Sequence, residues 1–110
     1  MKQYVIDELR PLDYERIKAY CDQHLDADAL GGIYRIPLPT ELMNETQQAH
    51  TACHPLFFTL ELLTTHLSCE LLIRTHRRVR CDCMGYATEA QCAWLLAKVD
   101  AILAQLSIQV

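Results

Sequence analysis

Polar and apolar residues alternate along the middle of the chain in three short runs, at residues 55–63, 67–74 and 78–84. Successive side chains of a β-strand point to opposite faces, so an alternation with a period of two predicts a strand with one buried face. The inward positions are apolar or carry thiols in all three runs: Phe58, Leu60 and Leu62; Leu67, Cys69, Leu71 and Ile73; Val79, Cys81 and Cys83. Because turn-like breaks separate the runs, the pattern predicts an antiparallel β-meander.

The turn of the first hairpin sets its register. A two-residue turn at residues 65–66 would pair Leu62 with Cys69 and Leu60 with Leu71, which places the inward residues of both strands on one face. Neither this turn nor the one after residue 74 contains the Gly or Asn that tight hairpins favour. The strands are therefore better defined by the sequence than the loops are.

A helix is predicted near each end of the chain. Near the N terminus, Pro11 suits a first helical turn, and apolar residues recur at helical spacing through residues 10–25. Near the C terminus, Thr88 and Gln91 match a capping box, and neither Gly nor Pro interrupts the run to Leu106. One or two short helical turns are predicted within residues 41–51.

A further strand is predicted at residues 33–38, where Pro37 and Pro39 place it at or near a sheet edge. The sequence thus predicts a single α+β domain over residues 1–110, with a three- to four-stranded antiparallel meander sheet. The long C-terminal helix and the N-terminal helix cover one face of that sheet. A chain of 110 residues can bury such a core without disulfides or metal ions.

The C-terminal helix is apolar around most of its circumference. Its large apolar residues are Trp94, Leu95, Leu96, Val99, Ile102, Leu103 and Leu106. Packing on one sheet requires an apolar stripe of only about 100°, so the surplus predicts contact either with the N-terminal helix or with another subunit. The interpretation we favour is a non-catalytic interaction or assembly protein that forms a homodimer through this helix.

Composition and charge narrow the choice of compartment and partner. Hydrophobic residues make up 51% and charged residues 22% of the chain, as in an ordinary globular protein, and the formal net charge is −4. An acidic chain has no general attraction to nucleic acid or to an anionic membrane. The N terminus has no apolar signal region and no run is long enough to cross a bilayer, which predicts a cytoplasmic protein without membrane contact.

Six cysteines in a reducing compartment are thiols or metal ligands more often than disulfides. Zinc prefers four Cys or His ligands in a tetrahedron, and such a site can be assembled from Cys53, His54, Cys81 and Cys83, with His50 able to replace His54. Residues two apart in a strand point the same way, which would align the two thiols of the Cys81-x-Cys83 motif. The alternative is that these cysteines are only small hydrophobic residues of the core.

Positive charge is concentrated in a short segment that contains Arg74, Arg77, Arg78 and Arg80. This arginine segment predicts a site for an anion, a phosphate or a nucleic-acid backbone. The alternative is a solvated hairpin tip whose arginines pair with acidic residues on neighbouring strands. Nucleic acid is disfavoured, because the segment lacks interleaved aromatic residues.

The sequence favours a protein that is not an enzyme. The chain contains no phosphate-binding Gly-rich loop, no Gly-x-Ser-x-Gly elbow and no His-Glu-x-x-His motif. Candidate cysteine nucleophiles exist, as Cys53 beside His54, Cys21 near His24, and Cys92, but none has a recognisable catalytic context.

Overall fold

The computed structural model describes residues 2–76 and 81–109. The strands of this part are β1 (Gln3–Ile6), β2 (Asp26–Ala27), β3 (Ile33–Pro37), β4 (Leu56–Leu62), β5 (Leu67–Glu70), β6 (Leu72–Thr75) and β7 (Gly85–Tyr86). Its α-helices are α1 (Pro11–His24), α2 (Glu45–Ala49) and α3 (Glu89–Gln105). The predicted α+β class is confirmed. The predicted sheet of three or four strands is wrong, because the described residues form a seven-stranded antiparallel sheet.

The sheet has the order β1-β5-β4-β3-β2, and β6 continues β5 along the same side of β4 and pairs with β7. The additional strands β1, β2 and β7 are only four, two and two residues long. Runs this short offer no alternation long enough to separate a strand from an extended loop. They are strands because a longer neighbour supplies hydrogen-bonding groups, which is a tertiary effect.

The hairpin of β4 and β5 has a register that differs by two residues from the predicted one. Leu62 pairs with Leu67 and Leu60 pairs with Cys69. The Leu63 N–H donates to the His66 carbonyl oxygen at 2.9 Å, which places the turn at residues 64–65. A shift of two residues keeps every side chain on its face, so the predicted inward residues of β4 remain inward.

The predicted strand at residues 67–74 is divided at Leu71. Leu60 of β4 pairs with Cys69, but Phe57 pairs with Arg74, so three steps along β4 correspond to five along β5 and β6. At the break, the Leu71 N–H donates to the Lys2 carbonyl oxygen at 3.1 Å, and the Leu71 carbonyl accepts from the Ala87 N–H at 2.8 Å. The extra residues act as a bulge at which the outer neighbour changes from β1 to β7.

The predicted strand at residues 78–84 is not formed where it can be described. Residues 78–80 lie outside the described part of the chain, and residues 81–84 form a turn in which the Met84 N–H donates to the Cys81 carbonyl oxygen at 3.0 Å. Asp82 lies within this turn, and aspartate favours turns because its side chain can hydrogen-bond to nearby backbone groups. The alternation of polar residues and thiols here therefore belongs to a turn that precedes β7.

One face of the sheet carries both long helices. The Tyr34 hydroxyl of β3 donates to Asp22 of α1 at 2.6 Å, and the Phe58 ring of β4 stacks on Trp94 of α3 with centroids 6.2 Å apart. The Tyr4 hydroxyl of β1 donates to Asp100 of α3 at 2.9 Å. The buried core lies between these elements, with the helices contributing Ile17, Cys21, Leu95, Val99 and Leu103.

Much of the apolar surface of α3 is covered within the chain itself. Leu95, Val99, Ile102 and Leu103 are buried, and Trp94 is partly buried against the core. The large hydrophobic side chains that are exposed in the described residues lie elsewhere: Val5, Leu12, Leu30, Leu63 and Tyr86. The homodimer through α3 therefore stays a prediction. Less apolar area of this helix is left for a second subunit than the sequence pattern indicated.

We expect Asp13→Asn to destabilise the protein at neutral pH. The Asp13 carboxylate is buried at the start of α1 and accepts hydrogen bonds from the Arg10 Nε at 3.0 Å and the Arg10 backbone N–H at 3.1 Å. These bonds hold the pKa of Asp13 below its ordinary value of 3.8. A carboxylate with a lowered folded-state pKa contributes stability that is present above the unfolded pKa and is lost as pH falls through the folded value.

The urea midpoint of Asp13→Asn should therefore fall below that of the wild type at neutral pH, and the two should converge well below pH 3.8. Glu15→Gln, which changes an exposed carboxylate of the same helix, is the matched control. Equal midpoints of wild type and Asp13→Asn at neutral pH would contradict a stabilising role of this helix start.

Candidate metal centre

Three segments of the chain bring His50, Cys53, Cys81 and Cys83 together. His50 follows α2 directly, Cys53 ends a short 3-10 turn (Thr51–Cys53), and the other two cysteines belong to the turn before β7. One ligand atom from each residue lies within 4.8 Å of all the others. We call these four residues the Cys/His cluster.

Local sequence explains why His50 and Cys53 face the same way. Asn44 and Gln47 form a capping box that starts α2, with the Asn44 Oδ1 accepting from the Gln47 N–H at 2.8 Å. After five helical residues the chain tightens, and the Cys53 N–H donates to the His50 carbonyl oxygen at 2.9 Å. Residues three apart in a 3-10 turn are aligned, so this bond places both side chains on one side.

The spacing of the ligand atoms resembles that of a tetrahedral zinc site. The Cys53 and Cys81 Sγ atoms are 3.7 Å apart, and the His50 Nδ1 atom is 2.9 Å from the Cys81 Sγ. Zinc–sulfur bonds of about 2.3 Å at the tetrahedral angle place two ligand sulfurs about 3.8 Å apart. Since all four atoms lie within 4.8 Å of one another, shifts of about 1 Å or less would bring them to an ion, with the His50 Nδ1 and Cys81 Sγ atoms moving slightly apart.

The cluster lies at the surface on one side and in the core on the other. Cys53 and Cys83 are buried, at 3% and 1% exposure, whereas His50 and Cys81 are partly exposed at a shallow depression. Hydrogen bonds from the backbone and the thiol of Cys83, together with His50 and Cys53, lower the pKa of Cys81 to about 6. Burial raises the pKa of Cys83. The lowered pKa favours the thiolate form of Cys81 at neutral pH, and the thiolate is the form of cysteine that binds metals.

Side chains from outside the cluster hold its backbone. The Gln47 Nε2 donates to the Cys83 carbonyl oxygen at 3.2 Å, and the Gln47 Oε1 accepts from the Gln91 Nε2 at 2.9 Å. Gln91 also donates to the Leu42 carbonyl oxygen at 2.8 Å. The Thr75 hydroxyl donates to the Cys53 carbonyl oxygen. Both segments that carry cysteines are therefore fixed to the rest of the fold.

The structure distinguishes between the two histidines that the sequence left open. His50 belongs to the cluster, whereas the His54 Nε2 atom is 2.7 Å from the Gln47 carbonyl oxygen, to which it donates. The structure also gives a different reason for the proximity of Cys81 and Cys83, since they share a turn and not a strand.

Of the other candidate sites, the structure describes Arg74 and the cysteines outside the cluster. Arg74 pairs with Glu70 at 2.7 Å, and Arg77, Arg78 and Arg80 lie outside the described residues, so the predicted anion site stays a prediction. Cys21 is buried in the core, where burial raises its pKa to about 12, and the ring of nearby His24 packs on Tyr20. Such a thiol is a poor nucleophile.

The sequence predicted the residues of the candidate cluster but missed the glutamines that hydrogen-bond to its backbone and to each other. The sequence pattern indicates Gln91 only as part of a capping box at the start of α3. Asn44 and Gln47 form the same capping-box pattern at the start of α2. Each glutamine occupies the third position of its helix, and the two meet across the core. A capping box can be recognised from the local sequence, whereas the contact between Gln47 and Gln91 depends on tertiary structure.

We expect Gln91→Leu to destabilise the protein by about 1–3 kcal/mol, because the buried Gln47 amide and the Leu42 carbonyl each lose a hydrogen-bond partner. Gln105→Leu makes the same change at an exposed position of the same helix and should have little effect. Urea denaturation of both variants measures the difference. A Gln91→Leu variant as stable as Gln105→Leu would show that the contact between the two glutamines contributes nothing.

Comparison with known proteins identifies no family for this chain. No protein-family model matches the chain, and neither the curated proteins nor the solved structures include a significant match. None of the helices in the described part of the chain has the length and apolar character needed to cross a bilayer. The function must therefore be inferred from the geometry and chemistry of the Cys/His cluster.

Proposed function

We propose that this protein is a small zinc-binding protein whose His50, Cys53, Cys81 and Cys83 hold one structural zinc ion. The observation that carries the proposal is that all four ligand atoms lie within 4.8 Å of one another. Four protein ligands complete a tetrahedron and leave no position for a substrate, which is the arrangement of structural rather than catalytic zinc.

The donor set supports zinc over other ions. Three thiols and one imidazole are soft to borderline ligands that suit zinc, whereas Mg²⁺ and Ca²⁺ prefer oxygen. Iron–sulfur clusters also use thiolates, but they are usually held by four cysteines. The hydrogen bond from Gln47 to the Cys83 carbonyl and that from Thr75 to the Cys53 carbonyl give the ligands the outer support that metal sites use.

The ion would join two parts of the chain that are distant in sequence. His50 and Cys53 immediately precede β4, and Cys81 and Cys83 immediately precede β7 and α3. Binding free energy at such a site becomes folding free energy, because the unfolded chain does not preform the site. The proposed role of zinc is therefore to stabilise the end of the sheet where β4 begins.

A structural ion is compatible with the non-catalytic interaction or assembly role that the sequence favours. It needs reduced thiols, and all six cysteines are free, which supports the cytoplasm as the proposed compartment. The homodimer remains a separate proposal that light scattering can test, because nothing in the cluster requires a second copy.

Protein purified without chelator and without a metal-binding tag should contain about one zinc per chain by elemental analysis, since the site holds one tetrahedral ion. Cys81→Ser and Cys83→Ser should lose the metal and lower the melting temperature, because each removes one of four ligands. Cys92→Ser is the matched control, since this half-buried cysteine of α3 lies outside the cluster. Absence of metal from the wild type, or unchanged metal content in both cluster variants, would refute the proposal.

The two histidines give a sharper test of the ligand set. His50→Gln should weaken zinc binding by more than the roughly 10–100-fold that loss of an outer-shell partner costs, because it removes a direct ligand. His54→Gln should weaken it less, because a glutamine amide can still donate to the Gln47 carbonyl oxygen. Competition with a chromophoric chelator measures both affinities. A larger loss in His54→Gln than in His50→Gln would reverse the assignment.

A further inference from the structure

We propose that Cys81 and Cys53 are a peroxide-sensitive pair, in which a two-electron oxidant such as hydrogen peroxide joins their sulfurs in a disulfide and so displaces the metal. Formation of the disulfide requires only the reduced Cys/His cluster. The displacement of metal rests, in addition, on the zinc-binding function proposed above.

The first argument is distance. The Cys53 and Cys81 Sγ atoms are already 3.7 Å apart, and a disulfide bond is about 2.05 Å long. The two residues belong to separate segments, one before β4 and one before β7, so a small approach of the two segments is enough to join them.

The second argument is a difference in exposure. Cys81 is partly exposed and, with His50 and Cys53, lines the surface depression beside the cluster. Cys53 is 3% exposed and Cys83 is 1% exposed. A small oxidant therefore meets the more exposed Cys81 first, and the less exposed Cys53, with its sulfur 3.7 Å away, is the resolving thiol.

In the metal-free protein the chemistry balances with peroxide as the only co-reactant, and in the zinc-loaded protein solvent supplies the two protons. The Cys81 sulfur attacks one peroxide oxygen and breaks the O–O bond, which gives a sulfenic acid and a hydroxide that leaves as water with the thiol proton. The Cys53 sulfur then attacks the Cys81 sulfur, the S–O bond breaks, and the second oxygen leaves as water with the Cys53 proton. Two thiols lose two electrons, and one peroxide becomes two waters.

Cys53 is a better resolving thiol than Cys83. Cys81 and Cys83 share one tight turn, which the hydrogen bond from the Met84 N–H to the Cys81 carbonyl closes. A disulfide between residues two apart would form a small ring within this turn, and disulfides far from their preferred geometry are strained. A disulfide from Cys81 to Cys53, in contrast, leaves this turn intact.

The disulfide would remove two of the four proposed zinc ligands at once. His50 and Cys83 alone cannot complete a tetrahedral site, so the ion should leave as the disulfide forms. Reduction of the disulfide would restore the ligand set, because a disulfide is the reversible product of cysteine oxidation. The same cluster would then be structural when reduced and metal-free when oxidised.

The experiment treats the full chain with hydrogen peroxide, once metal-free and once loaded with zinc, and maps the products by mass spectrometry. Trypsin leaves Cys53 with Cys69 in one peptide, residues 36–74, and Cys81 with Cys83 and Cys92 in another, residues 81–98. Fragment-ion sequencing must therefore locate the bond. We expect a Cys53–Cys81 disulfide in both samples, loss of two titratable thiols, and release of one zinc per disulfide to a chromophoric chelator.

Variants separate the steps. Cys53→Ser should halt the reaction at the Cys81 sulfenic acid, which a dimedone-type reagent captures, and Cys92→Ser should react as the wild type does. A Cys81–Cys83 disulfide, modification of Cys92 before Cys81, or overoxidation of Cys81 without a disulfide would each overturn the proposal. These results come from wild-type mapping, so they do not depend on whether Cys53→Ser folds.

The same experiment distinguishes failure of this inference from failure of the zinc proposal. A Cys53–Cys81 disulfide in a protein that binds no zinc would support the pair and refute the metal function. Retention of zinc under peroxide, with both thiols intact in the loaded and the metal-free protein, would refute the pair and leave the metal function standing.

Discussion

The hydrogen bond between Gln47 and Gln91 joins the segments on which the candidate metal centre depends. Each glutamine is the third residue of its helix and completes a capping box there. Their side chains are hydrogen-bonded to each other in the core, and the Gln47 amide also donates to the Cys83 carbonyl oxygen. Buried amides cost free energy unless they are paired. The starts of α2 and α3 and the cysteine turn must therefore form together or lose these bonds.

The Cys/His cluster lies at the end of the sheet because the strand after the first hairpin is broken. The change of partner at Leu71 lets β6 pair with β7 on the side where β5 pairs with β1. The turn that carries Cys81 and Cys83 enters β7, and Thr75 at the end of β6 holds Cys53. The bulge thus marks the point at which the outer neighbour changes from β1 to β7, and β7 follows the turn that carries Cys81 and Cys83.

The sequence predicted what local periodicity controls. The alternation in β4 and the capping box of α3 identified these two elements. The predicted register of the first hairpin was wrong by two residues, but an even shift keeps each side chain on its face, so the inward face of β4 was predicted correctly. The short strands β2 and β7 escaped prediction because their stability comes from neighbours, and the sequence left residues 4–7, most of β1, open between a short strand and an extended lead-in. The residues of the Cys/His cluster were predicted as a candidate set because zinc prefers Cys and His. The sequence could not predict that His50 and not His54 joins the cluster, because this depends on the 3-10 turn that aligns His50 with Cys53.

Without a metal ion, the surroundings of the cluster favour the charged form of one cysteine and the neutral form of another. Three thiols and an imidazole lie close together at the edge of an apolar core, and the hydrogen bonds among them favour one thiolate at Cys81 while burial keeps Cys83 protonated. A divalent ion would resolve the conflict by charge, since it stabilises all three thiolates. A disulfide would resolve it covalently, by removing two thiols. The geometry that makes the site suitable for zinc, sulfurs 3.7 Å apart with one of them partly exposed, is the same geometry that makes it open to oxidation.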